Sequence, residues 1–164
     1  MKTFKEYVVE QLNTGTYILE NDENKVDHND KEITTLLGRV EPGARIRALK
    51  HPNVTEKHIS LGMNDVDPTV RKFAVSHPKA TKQHIFLGLS DSNDSVKDAA
   101  ISHPNATKEH IDKALKDDDL YIRAAAISHP NATKEHMAIG LKDQYGYVRK
   151  QAEKRSKDIN NKNK

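Results

Sequence analysis

Eight of the nine histidines stand in four pairs seven residues apart: His51/His58, His77/His84, His103/His110 and His129/His136. Imidazole is the commonest metal ligand and titrates close to neutral pH, so such a set could bind metal or sense acid. A second set alternates in charge. Asp65, Asp91, Asp117 and Asp143 recur, each followed six residues later by a cation: Arg71, Lys97, Arg123 and Arg149. This spacing suits anion binding, acid–base chemistry or simple cross-linking of elements. A third set is basic: Lys108, Lys134, Lys142, Arg149, Lys150, Lys154, Arg155 and Lys157, with Tyr147 among them. Rows of like charge can track a phosphate backbone, and an aromatic ring beside them can stack on a base. The same cations suit an acidic protein.

Plainer roles compete with each chemistry. No carboxylate or cysteine completes a recurring ligand set around the histidines, and no His-Glu-x-x-His occurs. The first histidine of each pair is expected to end a helix, where its ring bonds free carbonyls and the helix dipole favours a charged form. The second is expected in the first turn of the next helix, where a neutral ring is preferred. Each Asp, near the start of a helix, is expected to face a cation of its own or the next repeat. Both sets are therefore expected to be structural ladders. Among the lysines, Glu109, Asp112, Glu135 and Asp143 interleave, which favours a mixed solvated surface. With no cysteine, disulfides, thiolate zinc sites and thiol catalysis are excluded. No phosphate-cradling glycine loop or G-x-S-x-G motif is present. A catalytic site normally breaks symmetry, whereas nearly every candidate here is repeated. No enzyme, metal or cofactor is expected.

The elements that position these residues follow from a period. The twelve letters AAISHPNATKEH occupy 99–110 and again 125–136, and His-Pro stands at 51, 77, 103 and 129. Every step is 26 residues, and a fixed period of this size signals a stacked solenoid. Ala44, Val70, Val96, Ile122 and Val148 are in phase, as are Ala48, Ala74, Ala100, Ala126 and Ala152. One repeat reads as two short helices. In DPTVRKFAVSHP, Pro68 suits a first helical position, Val70, Phe73 and Ala74 share a face, and Pro78 forbids continuation. Thr81 is a fair N-cap for KQHIFLGLS, where Ile85 and Leu89 are partners around Gly88. Gly62, Gly88, Ala114 and Gly140 recur at that place, and glycine costs a helix up to about 1 kcal/mol. Its recurrence implies that a neighbouring helix needs the room. Two ten-residue helices are marginal alone, so each repeat must lean on the next.

The stretch LKDDDLYIRAAAISHPNATKEHMAIGL (115–141) resembles the leucine-rich repeat variant family and, more broadly, the HEAT-like repeats. The Asp-x5-cation spacing, the branched residue before the cation, the alanine pair, the proline turn and the threonine opening the next helix carry the resemblance. It spans about 39–152. It implies an α-solenoid and a binding scaffold; some DNA glycosylases share the HEAT-like solenoid, but those stack bases on Trp, which this chain lacks.

The expected fold is all-α: a short right-handed α-solenoid of 26-residue two-helix repeats. Residues 1–38 are an acidic helical cap with a degenerate repeat, 39–148 four repeats, and 149–164 a basic cap and tail. Four Lys against eight Asp or Glu make the first segment acidic; seven cations against Glu153 and Asp158 make the last one basic. In the last helix Glu153 replaces the isoleucine and Arg155-Ser156 the His-Pro, giving it a polar face, and NNKNK is expected to fray. No apolar run approaches the roughly 18–20 residues of a membrane span, and no apolar leader segment is seen, so a cytoplasmic protein is expected. The Lys/Asn-rich composition suits an AT-rich bacterial or phage genome. The expected function is non-catalytic binding, first to another protein and second to nucleic acid.

Overall fold

The computed structural model describes residues 28–161. The segments 4–12 and 25–26, read above as parts of the N-terminal cap, and residues 162–164 lie outside the described residues. Among the described residues every element is helical: α1 (His28–Leu37), α2 (Pro42–Leu49), α3 (Glu56–Met63), α4 (Pro68–Val75), α5 (Lys82–Gly88), α6 (Asp94–Ile101), α7 (Lys108–Ala114), α8 (Leu120–Ser128), α9 (Lys134–Gly140) and α10 (Gly146–Asn161). Two compact units divide at Val54/Thr55.

In the first unit α1 packs on α2. Ile33 is buried, as are Ala44, Ala48 and Leu49 of α2. Ile33 thus takes the place that Ile59, Ile85 and Ile111 hold in later repeats.

The second unit is a helical-repeat solenoid in two rows. The first-row helices α4, α6, α8 and α10 pack side by side, and each second-row helix packs on the first-row helices flanking it in sequence. The reason is visible in the burial pattern. Val70, Val96, Ile122 and Val148 are buried from the first row, and Ile59, Ile85, Ile111 and Met137 from the second. Full burial of such a side chain stabilises by about 1.5–3 kcal/mol, and no isolated helix pair would supply it. Ala74, Ala100, Ala126 and Ala152 are fully buried and keep the rows close.

The recurring small residue acts as expected at two places. A Cβ on Gly88 would lie 2.8 Å from both Ala100 Cβ and Val75 Cγ2; one on Gly140 would lie 2.6 Å from Ile127 Cδ1 and 3.0 Å from Ala152 Cβ. First-row helices begin with side-chain caps. Asp67, Asn93 and Asp119 accept from the backbone N–H of Thr69, Ser95 and Tyr121. Pro68 takes the first helical position. The last helix departs from the pattern. Arg155-Ser156 lets α10 run straight through the place where His-Pro turns the chain, as far as Asn161, so helix occupies the first residues of the segment expected to fray.

Candidate functional site

The second histidine of each pair closes a cap. His58, His84, His110 and His136 stand at the third residue of α3, α5, α7 and α9, three positions after a threonine N-cap. The threonine backbone N–H donates to the ring Nδ1 at 3.1, 3.1, 2.9 and 2.8 Å. Imidazole here replaces the Glu or Gln of an ordinary capping box. A ring whose Nδ1 accepts carries its proton on Nε2. That nitrogen reaches the preceding repeat: His84 pairs with Ser60 Oγ at 2.8 Å, His110 donates to Lys82 O at 2.9 Å, and His136 donates to Asp112 Oδ1 at 3.0 Å. The His110 ring also lies 4.3 Å from Phe86, centroid to centroid.

The first histidine does the same from the corner. Nδ1 of His51, His77, His103 and His129 accepts from the backbone N–H two residues on, at 3.1–3.2 Å. Nε2 of His103 donates to His77 O at 3.1 Å, and that of His129 to His103 O at 3.2 Å. His103 and His129 therefore each tie their corner to the corner 26 residues earlier. At His77 and His129 the expectation of a charged ring at this helix end does not hold. A backbone N–H already aims at Nδ1, so a proton there would face another donor. Burial holds His77, His84 and His129 below the ordinary histidine range.

The Asp/cation series is also a ladder between repeats, with its direction now defined. Arg71 Nη1 donates to Asp65 O and Val66 O of its own loop. Its Nε and Nη2 form a fork on Asp91 of the next repeat at 2.7 and 2.8 Å. Arg123 repeats this: Nη1 binds Asp117 O and Asp118 O, and the fork binds Asp143 at 2.7 and 3.1 Å. Lys97 pairs with Asp117 at 3.0 Å and with Asp94 at 3.3 Å. Each Asp also accepts the backbone N–H two residues on: Asp67 for Asp65, Asn93 for Asp91, Asp119 for Asp117 and Tyr145 for Asp143. The Arg71 and Arg123 hydrogen bonds hold the Asp91 and Asp143 carboxyls below the usual carboxylate range, although burial opposes this.

The basic set divides. Lys108 and Lys134 open α7 and α9 and are exposed. Beside them stand Glu109 and Glu135, which accept from Thr107 and Thr133; these bonds hold both carboxyls low, and Lys82 and Lys108 of the preceding repeat add to the effect. This row is therefore of mixed sign. Lys142 is exposed in the loop after α9. Arg155 turns inward, donating from Nη2 to Pro130 O at 3.1 Å in place of the absent corner histidine. Arg149 donates from Nη1 to Asp143 O and Gln144 O at 2.7 and 2.9 Å.

Tyr147, Lys150, Lys154 and Lys157 are exposed and, at spacings of three, four and three, share one face of α10. Glu153 and Asp158 flank them. Near the start of α10, Tyr121 and Tyr147 meet edge to face at 5.8 Å, and Arg123 lies 5.5 Å from the Tyr145 ring centre. No signal for the Thr-x-x-His cap was taken from the sequence, although its spacing matches a capping box.

Among the described residues no three His, Asp or Glu side chains gather as metal ligands. No described helix is long and apolar enough to cross a membrane. Comparison with protein-family models, with curated proteins and with solved structures finds no match.

Proposed function

We propose that the chain is a non-catalytic binding scaffold whose partner is an acidic protein surface, met on the exposed face of α10. One observation carries this: Tyr147, Lys150, Lys154 and Lys157 form an exposed basic stripe with a ring at its start, whereas the repeated histidines and aspartates already bond within the stack. Such a surface would steer an acidic partner and hold it with an amphipathic aromatic edge. The resemblance to leucine-rich repeat variant and HEAT-like proteins, which mostly serve as scaffolds, supports the same reading.

Nucleic acid is the second reading. The Tyr121/Tyr147 pair beside Lys150 favours it, since rings near cations stack on unpaired bases. The Glu residues beside Lys108 and Lys134 weigh against a phosphate track along the repeats. Fluorescence anisotropy with a labelled poly-glutamate peptide and a labelled single-stranded oligonucleotide separates the two. Saturable, salt-sensitive peptide binding that is lost in the Lys150→Gln/Lys154→Gln/Lys157→Gln variant supports the first. Tighter oligonucleotide binding with a counterion slope that shrinks in the same variant replaces it with the second. Binding of neither probe at about 50 mM salt overturns both.

A further inference from the structure

Arg149 stands 26 residues after Arg123, and its Nη1 repeats the hydrogen bonds that Arg71 and Arg123 make to their own loops. In those two arginines the outer edge, Nε and Nη2, grips the next aspartate as a two-point fork. Among the described residues no carboxylate pairs with that edge of Arg149. The side chain is exposed, whereas Arg123 is buried. Gly146 leaves the place bare: a Cβ there would come 3.5 Å from Arg149 Nη2, and Pro68 and Leu120 supply one in the earlier repeats. Among the described residues no following loop answers the edge from ahead, because α10 runs on through Arg155-Ser156 instead of turning.

We propose that the Nε/Nη2 edge of Arg149 is a recognition site for a partner carboxylate, an Asp held in a short turn before a helix. The occupants of the inner forks define this ligand: Asp91 and Asp143 each accept two guanidinium donors and one backbone N–H of their own turn. Planar two-point pairing is what guanidinium does and ammonium does not. The partner is not a second copy continuing the ladder. The position 26 residues before Asp65 is Arg39, whose carbonyl takes the Arg45 Nη1 bond as Asp65 O takes that of Arg71. A copy offering that loop would set arginine against arginine. The inference rests on the acidic-partner reading of α10 and adds the residue and the geometry that choose the carboxylate.

A labelled, capped peptide of residues 115–130 serves as probe, since it carries Asp117 in such a turn ahead of helical sequence. Its binding to the full chain is followed by anisotropy in a double cycle, with Arg149→Gln in the protein and Asp117→Asn in the peptide. Each change alone is expected to weaken binding about tenfold, and the two together no further. Arg149→Lys, which keeps the charge and loses the fork, should weaken it nearly as much. Equal binding of the Asp and Asn peptides, or losses that simply multiply, overturns the fork while leaving a basic α10 face that takes acidic peptides. Binding unaffected by either Arg149→Gln or the triple lysine change sinks the face as well. Absence of saturable binding of the Asp peptide overturns the fork, and poly-glutamate then reports on the face separately. Self-association of the full chain that Arg149→Gln abolishes would place a second copy on the edge and contradict the proposal. Circular dichroism and the thermal midpoint of each variant check that the chain remains folded.

Discussion

Arg123 and Arg149 occupy the same position in successive first-row helices and donate from Nη1 to equivalent loop carbonyls. Arg123 is 6% exposed, with its fork on Asp143; Arg149 is exposed, with no carboxylate on its fork among the described residues. The difference separates two uses of one residue. Where another repeat follows, the guanidinium is consumed in cohesion. Where the pattern breaks, the same side chain is presented outward. Function in a repeat of this kind is therefore sought at the break in the repetition rather than in the repeated letters.

The contrast is broken most severely by Arg123→Gln. It leaves Asp143 largely buried beside a neutral side chain, and removal of one member of a buried pair costs about 3 kcal/mol. Arg149→Gln should cost under about 1 kcal/mol, as for exposed pairs. Urea denaturation of both variants checks the ranking. Asp143→Asn added to Arg123→Gln should recover part of the loss, because no uncompensated carboxylate then remains.

Gly88→Ala comes next. Its Cβ would meet Ala100 Cβ and Val75 Cγ2, neither of which can swing away. Overpacking should outweigh the gain in helix propensity and leave a net loss of about 1–2 kcal/mol, read from the denaturation midpoint. Gly140→Ala meets the flexible end of Ile127 first and should cost less.

Acid tests the same cohesion. His77, His84 and His129 have folded pKa values held below the ordinary 6.5, chiefly by burial. Below about pH 6.5 these three rings bind more protons in the unfolded chain than in the folded one, so their contribution to stability falls as pH drops through the lowered folded values. Their contribution is fully present above 6.5. The depressed Asp91 and Asp143 add a further loss below their ordinary 3.8. Thermal midpoints between pH 7.5 and 3 should decline in that order; a midpoint rising on acidification from pH 7 would contradict the neutral-ring ladder.

The smallest effect on stability belongs to Lys150→Gln, Lys154→Gln and Lys157→Gln. Each should lie within about 0.5 kcal/mol of the parent, as for exposed surface positions. Their effect should appear in acidic-peptide binding.

Most of the architecture was legible because the period is strict. Phase alone placed Val70, Val96, Ile122 and Val148 in one buried row and implied close approach at Gly88 and Gly140. The pairing of Asp and cation was legible as a ladder, but the direction was not. Each Asp is expected to face a cation of its own or the next repeat, whereas the backbone places Asp91 on Arg71 and Asp143 on Arg123 of the repeat before. For His77 and His129 the helix dipole alone misleads, because it leaves out burial and the local turn. The N–H two residues on occupies Nδ1, a contact at hydrogen-bond distance that outweighs a diffuse field. The basic set divided for a similar reason: composition counts Arg155 with Lys154, yet one helical step turns it inward onto Pro130 O.

The eight repeated rings serve as struts, each with Nδ1 accepting a backbone N–H. Long-range proton–nitrogen NMR of the imidazoles at pH 7.5, with and without one equivalent of zinc, tests this most directly. Eight rings with Nδ1 unprotonated, unchanged by zinc, are the expected result. Rings protonated on Nδ1, or ring nitrogens displaced by stoichiometric zinc in step along the repeats, would contradict it.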